Sequence, residues 1–217
     1  MFPQRNHSQD RSDDIKFILQ KHYWNKHSIL YICNVNKKEN ILASALKLLT
    51  EKGIHNTPMS AIAKVAGTGM GTIYNYFPNK ESLINEVYVS IKAQETSIFT
   101  DFDSAKPIRT QFEIYFESAI SFFIENPMYF KFIEQLQASP VITEESRTFG
   151  RKSIAPVIEL IHNGQQQRII KNIPSDEMLT FIAGSILSYL RWYYNQTETK
   201  NTSLKNQMNL VWDAIKE

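Results

Sequence analysis

The side chains best suited to binding chemistry in this 217-residue sequence are concentrated in one stretch, residues 57–80. Within it, Thr72 and Tyr76 are four residues apart, so a helix would place them on one face with Asn75 beside them. Hydroxyl and amide groups of this kind bond to phosphate oxygens, and the amide of asparagine also matches the edge of adenine. We therefore expect this stretch to contact a nucleic acid.

The elements that would position these groups are two short helices joined by a glycine turn. Thr57 would cap the first helix, and Pro58 would occupy its first position, where a missing N–H costs nothing. Gly67 would adopt the left-handed conformation that ends this helix. The second helix would cover residues 70–77 and end at Pro78. This is the helix-turn-helix pattern, whose second helix enters the major groove of DNA.

The rest of the sequence predicts an all-α protein, because apolar residues recur with the helical period and no stretch favours a strand. We expect further helices over residues 37–52, 79–100, 108–125, 128–138, 143–163, 175–195 and 203–216. Asn36, Asn79 and Ser175 would cap three of these helices. Pro156 would kink the helix that Gly164 ends.

Three segments follow from this pattern: an N-terminal extension (residues 1–36), a DNA-binding head (residues 37–83) and a helical body (residues 84–217). The extension would be partly disordered, a helical arm, or the product of an upstream translation start. Residues 37–80 carry a net charge of +4 and residues 81–217 a net charge of −4. A basic head on an acidic body suits a polyanion. Ordinary solvated lysines, such as we expect of Lys64, would give the same mild bias.

The composition excludes several other classes of protein. The single cysteine, Cys33, excludes a disulfide framework and a multi-thiolate zinc site, and it fits a reducing compartment. No apolar run approaches the roughly 18 residues of a membrane span, and we expect a cytoplasmic protein. Glycine-rich phosphate loops, paired metal-ligand histidines and nucleophile motifs are missing from the sequence. We therefore expect no enzyme activity, no cofactor and no metal.

One run of residues in the head carries a resemblance to a known family. Ala66-Gly67 is followed after four residues by Thr72-Ile73-Tyr74-Asn75-Tyr76-Phe77, and then by Lys80-Glu81-Ser82-Leu83. This pattern resembles the N-terminal domain of TetR/AcrR-type bacterial transcriptional regulators. The sequence departs from the family at Gly69, where a capping residue such as serine is usual, and at Met70, where a cation is common. The base preference of relatives therefore does not transfer.

The resemblance implies double-stranded DNA as a partner. The chemistry of each side chain indicates whether it would contact a phosphate, a sugar or a base. We expect phosphate contacts from Thr57, Ser60, Tyr76 and Lys80, base or sugar contacts from Thr68, Met70, Thr72, Tyr74 and Asn75, and close approach of the backbone at Gly71. The resemblance also implies a homodimer on a palindromic operator, with recognition helices roughly 34–36 Å apart or a multiple of that distance.

For the body, the resemblance implies a dimer interface built by the last two helices and a site for a small effector. Both helices are apolar on more than one face. The expected interface residues are Ile182, Ile186, Tyr189, Tyr193, Met208, Val211, Trp212 and Ile215. The expected effector site, for a hydrophobic or aromatic molecule, comprises Phe112, Tyr115, Phe116, Phe123, Phe130, Gln135, Phe149 and Phe181.

The function that follows is a DNA-binding transcriptional regulator, most simply a repressor that a hydrophobic effector releases from its operator. One alternative stays open, a DNA-binding organiser that takes no small ligand and responds to a protein partner. An empty, well-packed body would favour this alternative.

Overall fold

The structure, a computed structural model, describes residues 37–99, 102–136, 139–196 and 204–217. The chain divides into two compact units, residues 1–40 and 41–217. The predicted extension over residues 1–36 and the predicted cap at Asn36 lie outside the described residues. The second unit contains the helix-turn-helix and the helical body together.

The described residues have the all-α fold that the sequence predicts. Ten α-helices follow one another in these ranges: α1 Lys37–Lys52, α2 Met59–Val65, α3 Met70–Tyr76, α4 Lys80–Glu95, α5 Ile108–Glu125, α6 Pro127–Leu136, α7 Glu144–Ser153, α8 Ala155–Gln166, α9 Ser175–Asn195 and α10 Leu204–Ile215. The helix expected over residues 79–100 ends as an α-helix at Glu95 and continues as a 3-10 helix, Thr96–Phe99. No helix in the described ranges has both the length and the apolarity that crossing a membrane requires.

The core of the head contains apolar residues from each of its three helices. Leu49 of α1, Ile62 of α2 and Ile73 of α3 are fully buried, and Phe77 closes the core directly after α3. The Gly53 and Gly67 residues that follow α1 and α2 have φ angles of +86° and +64°, as expected for helix ends that need the left-handed region. This small core fixes the orientation of α3, because Ile73 points inward and the opposite face of the helix points outward.

The body is arranged around α5. This helix packs against α6, α8, α9 and α10, while α4 packs lengthwise against α7. The inward face of α5 contributes Phe112, Phe116 and Ile120, all of which are fully buried. Since α4 begins in the head and continues into the body, it is the helix that connects the two.

Two of the predicted helix caps are wrong. The residue that caps α2 is Pro58, without a side-chain hydrogen bond, and Thr57 is instead fully buried. Pro174 occupies the cap position of α9, and Ser175 is its first helical residue. Both predictions placed the cap at the hydroxyl residue nearest the start of the helix. In the structure a neighbouring proline takes the cap position, because its backbone already has the extended conformation needed there. The predicted cap at Asn79 is confirmed, because its Oδ1 accepts the Ser82 N–H at 2.8 Å.

The segment expected to be one kinked helix is two helices. Residue Ile154, with φ −106° and ψ 20°, separates α7 from α8, and Pro156 lies in the first turn of α8, where its missing N–H is harmless. The predicted helix end at Gly164 is also wrong, because α8 continues to Gln166. Gly164 is needed for close packing, since a Cβ there would lie 2.6 Å from Cδ1 of Ile170.

Candidate DNA-binding surface and effector cavity

The turn between α2 and α3 determines how the candidate recognition helix leaves the head. The Thr68 N–H donates to the carbonyl of Ala63 at 3.0 Å, and the Gly67 N–H donates to the carbonyl of Lys64 at 3.3 Å. This double closure is the Schellman arrangement, which stops a helix and redirects the chain. Helix α3 then begins after Gly69, and Ile73 is its only buried residue.

The outward face of α3 carries most of the residues that we expected to contact DNA. Exposed residues of the expected set are Ser60, Met70, Gly71, Tyr74, Asn75 and Tyr76, and partly buried ones are Thr68, Thr72 and Lys80. Tyr74 and Tyr76 are 47% and 42% exposed, so their rings and hydroxyls are accessible to a partner. Asn75 and Thr72 donate no side-chain hydrogen bond to the described part of the chain, so their polar groups are available to a ligand.

Thr57 does not belong to this surface. Its side chain is fully buried, and its hydroxyl donates to the backbone carbonyls of Gly53 at 2.9 Å and Leu48 at 3.2 Å. The expected hydroxyl contact from Thr57 to a phosphate is therefore wrong. Its role is structural, because it ties the loop between α1 and α2 back onto the end of α1.

Lys80, the first residue of α4, lies across the same loop. Its Nζ donates to the backbone carbonyl of His55 at 3.3 Å, which leaves two of its three N–H donors free for a phosphate. Partial burial lowers the pKa of Lys80 from its ordinary value, because desolvation disfavours the charged form. This hydrogen bond places the ammonium beside the helix-turn-helix.

The body contains a cavity of about 340 Å³ between α4, α5, α6, α7 and α9. Its lining combines apolar side chains with a few polar ones: Tyr88, Lys92, Glu95, Tyr115, Ala119, Phe123, Ile133, Leu136, Ile142, Arg147, Ala183, Ile186 and Leu187. Its volume is at the lower end of the range for small-molecule sites. Its wall is more polar than is usual for such sites, since it exposes slightly more polar than apolar surface.

The polar groups of the cavity are already partly organised. Lys92 Nζ and Glu95 Oε2 are 2.5 Å apart, with 17% and 9% of their side chains exposed. Burial, and then the nearby Glu95 carboxylate, raise the pKa of Tyr115, so its hydroxyl stays protonated and can donate a hydrogen bond. Nε of Arg147 donates to the carbonyl of Ile142 at 3.2 Å. The cavity thus offers one internal ion pair and one guanidinium.

Sequence reasoning missed the contribution of α4 to this cavity. Tyr88, Lys92 and Glu95 are spaced four and three residues apart, which places them on one face of the helix. This spacing is visible in the sequence, but the expected effector site consists mainly of aromatic residues of the middle helices. Arg147 of α7 is likewise absent from the expected effector-site residues.

Of the expected effector-site residues, Tyr115 and Phe123 do line the cavity. Phe112, Phe116 and Phe130 are instead buried in the core of the body. For these three the expectation is wrong, because aromatic residues on α5 and α6 fill the space between helices rather than border an empty part of it.

The remaining three expected residues also lie elsewhere. Phe149 and Phe181 are 40% and 46% exposed on α7 and α9 and do not line the cavity. Gln135 of α6 lies next to the lining residue Leu136, but its Oε1 accepts the backbone N–H of Ile54 at 3.1 Å. Gln135 is therefore a hydrogen-bonded tether from the body to the loop between α1 and α2 of the head.

Comparison with known proteins decides the family. Residues 41–87 match the family model of bacterial regulatory proteins of the tetR family, and residues 87–217 match the model of tetracyclin repressor-like C-terminal domains. The chain belongs to the TetR family. It is a DNA-binding transcriptional regulator, and regulators of this family are generally not enzymes.

Individual relatives of this TetR-family chain match either its head or its fold. The HTH-type transcriptional regulator YhgD of Bacillus subtilis is 40% identical over 58 residues, which are 27% of this chain and 30% of that protein. This chain spans only 25–55% of the length of the first curated relatives that it matches. TetR-family regulators from Shewanella sp. PV-4 and Marinobacter aquaeolei VT8 share the fold, with TM-scores of 0.78 and 0.73 at 24% and 23% identity. They cover 84% and 83% of this chain, and the matches span 100% and 96% of theirs.

The expected dimer interface of this TetR-family regulator needs correction. Seven of the eight expected residues, all except Tyr193, are buried within the chain itself. The reason is that α9 and α10 turn these faces toward α5, as shown by the ring of Trp212, whose centroid lies 5.5 Å from that of Phe112. Buried side chains cannot also cover a second subunit.

A different face of α9 and α10 is free in the single chain. On α9 it consists of Phe181, Gly184, Ser188 and Trp192, which recur every three or four residues and are exposed, and on α10 it includes Leu210, which is 67% exposed. We call these five residues the outer face. A stripe of large apolar and small residues at helical spacing is typical of a helix that packs against another helix.

The described part of the TetR-family chain brings together no group of three histidine, cysteine or acidic side chains that could hold a metal ion.

Proposed function

We propose that this TetR-family regulator is a repressor that binds a palindromic operator as a homodimer and is released when a small effector occupies the cavity. One observation carries the proposal: helix α4 belongs to both sites. Its first residue, Lys80, contacts the head at the His55 carbonyl, and its later residues Tyr88, Lys92 and Glu95 line the cavity. A ligand that favours one position of α4 over another therefore changes the position of the head.

The surface of the head supports binding to the major groove. In the proposed arrangement, Asn75 and Thr72 read base edges, Tyr76 and Lys80 bind phosphates, and Gly71 allows the backbone of α3 to approach DNA closely. A Cβ built at Gly71 meets nothing within 4 Å, so the protein itself does not require glycine there. Close contact with a partner is a reason for glycine that fits this position.

Two further polar contacts fasten the surroundings of the cavity, one to α4 and the other to the head. The side chain of Asn85, in the middle of α4, donates from Nδ2 to the carbonyl of Val141 at 2.8 Å and accepts the Thr143 N–H on Oδ1 at 2.9 Å. These residues flank Ile142, which lines the cavity. The second contact is the tether from Gln135 to Ile54. Movement of the cavity wall would therefore be transmitted through hydrogen bonds as well as through packing.

The alternative function, an organiser that responds to a protein partner, requires no cavity. The space of about 340 Å³ bordered by five helices supports the effector model, because its volume is enough to admit a small molecule. The cavity exposes slightly more polar than apolar surface, so the proposed effector would combine a polar group with an apolar part.

Selection of binding sites from random DNA by the purified protein tests the proposal. We expect enriched sites with two inverted half-sites whose centres are about one helical turn, or a multiple of it, apart. Fluorescence anisotropy with the selected operator then measures whether candidate effectors lower its affinity. Enrichment of a single half-site, or of no sequence, would contradict the dimeric operator model.

The outer face provides a separate test of the dimer. We expect Trp192→Glu to convert the dimer to a monomer at micromolar concentration, because a carboxylate buried between subunits loses its hydration without gaining a partner. Sedimentation velocity measures the change. Met128→Glu is the matched control, since Met128 is 46% exposed on α6 and Trp192 is 44% exposed. A dimer that withstands Trp192→Glu, or that Met128→Glu disrupts equally, would exclude the outer face as the interface.

A further inference from the structure

The chemistry of the cavity indicates a class of effector. We propose that the cavity takes an amphipathic anion, an apolar body bearing one carboxylate, and that Arg147 holds the acid group. The inference relies on the proposed function for the role of the cavity as an effector site. It specifies which molecules bind there and which residue selects them.

The three charged groups of the lining are not equivalent. Glu95 is already neutralised by Lys92, one turn earlier on the same helix, and both side chains are largely buried. A cationic ligand would have to displace Lys92 from Glu95 and leave a buried ammonium without a partner, which is strongly unfavourable. The carboxylate of Glu95 is therefore a poor site for a cation.

Arg147 is the third charged residue of the cavity lining. Within the described parts of the chain it forms no ion pair, although its helix neighbour Arg151 pairs with Asp176. Its Nε is fixed by the Ile142 carbonyl, which orients the guanidinium and leaves the terminal nitrogens for a ligand. A planar guanidinium with two parallel N–H groups matches a carboxylate better than it matches any neutral group.

The remainder of the lining fits the apolar part of such a ligand. Phe123, Ile133 and Ala119 are buried apolar residues of the wall, and they come from α5 and α6 rather than from the charged helix α4. Arg147 and Ala183 are the exposed members of the lining, which places the opening between α7 and α9. An anion held by Arg147 would thus have its acid group at the opening and its apolar body inside.

Calorimetric titration of the full-length protein without DNA tests this inference. Three probes share a ten-carbon chain and differ in the head group: decanoate, decanol and decylammonium. We expect decanoate to bind most tightly, and we expect its affinity to fall about fourfold for each methylene removed in the shorter carboxylates. Arg147→Gln should weaken decanoate by at least about tenfold, as for a lost hydrogen bond to a charged group, and should leave decanol unchanged.

Arg151→Gln is the matched control, because it removes the same charge one turn further along α7 outside the cavity. It should leave decanoate binding unchanged. A preference for decylammonium, equal effects of the two arginine substitutions, or no binding of any probe would overturn the inference. Since Arg147 is exposed, a circular-dichroism melt should show that its variant is folded.

The outcome is separable from the proposed function. If decylammonium binds instead of decanoate and releases the operator, the effector model stands and the anionic class is wrong. If decanoate binds through Arg147 but leaves operator affinity unchanged, the anion site stands and the proposed release mechanism is wrong. Anisotropy with the selected operator distinguishes the two results.

Discussion

Replacing Asn75 with alanine is expected to change the base preferred at one position of each half-site. A bidentate contact between an asparagine amide and adenine discriminates by about 1–3 kcal/mol, so affinity for the selected operator should fall by about 5- to 150-fold per half-site. Affinity for operators altered at that one position should fall much less. Selection from random DNA with Asn75→Ala, compared with the unsubstituted protein, measures the change directly.

Replacing Lys80 with alanine should have a different signature. The loss of a phosphate contact weakens binding to all sequences alike, and it reduces the slope of log affinity against log salt concentration by about one per contact. Lys64→Ala is the control, because Lys64 is an exposed lysine of α2 that we expect to be solvated. A gel-shift titration over a range of salt concentrations gives both quantities. Unchanged affinity in both the Asn75 and Lys80 variants would show that the head docks in another way.

The second large effect is expected at Asn85. Asn85→Ala removes the partner of the Val141 carbonyl and of the Thr143 N–H, and unsatisfied groups of this kind cost about 1–3 kcal/mol each. We expect the free energy of unfolding to fall by about 2–4 kcal/mol, which lowers Tm by roughly 5–15 °C for a chain of this size. Thermal or urea denaturation at fixed protein concentration measures it.

Asn126→Ala is the matched control for Asn85→Ala. Asn126 Nδ2 donates to the Phe122 carbonyl one turn back in the chain, so its loss should cost less than about 1 kcal/mol. At a temperature where both variants are folded, Asn85→Ala should also reduce the effect of an effector on operator binding, since it removes the link between α4 and the cavity wall. Equal destabilisation by the two substitutions would show that the Asn85 hydrogen bonds do not fasten α4 to the body.

The head was predictable from sequence because its signals are local. Gly53 and Gly67 mark helix ends through their own backbone conformation, and Ile73 and Phe77 form a face through their spacing alone. The error at Thr57 shows the limit of such signals. Its hydroxyl donates to carbonyls of the preceding helix and loop instead of capping the next helix. Which of these partners it meets depends on how α1 and α2 are placed in space.

The faces of the body were not predictable in the same way. The sequence shows correctly that α9 and α10 are apolar on more than one side, but a period of 3.6 residues does not say which side packs against α5 and which side stays exposed. Tyr189 and Trp192 are three residues apart with similar chemistry, and only the first is buried. The division depends on tertiary packing.

The cavity could be predicted only in part for a further reason. A cavity forms where neighbouring side chains leave space unfilled. The residue types in a sequence indicate which side chains pack together, but they do not indicate where such a space remains. Phe116 and Phe123 on α5 look alike in the sequence, yet the first is core and the second borders the cavity. The three residues of α4 could have been found by their spacing, whereas the volume that they face could not.

Under the proposed function, helix α4 joins a site for the operator to a site for the effector, and the coupling between two binding sites is reciprocal by thermodynamic necessity. If the effector lowers operator affinity about 100-fold, the operator must lower effector affinity about 100-fold as well. Protein on the operator would therefore bind the effector at a higher effector concentration than free protein does. The effector concentration at which half of the protein is occupied would depend on the ratio of protein to operator. The sensitivity of the response would then depend on protein abundance as well as on the lining of the cavity.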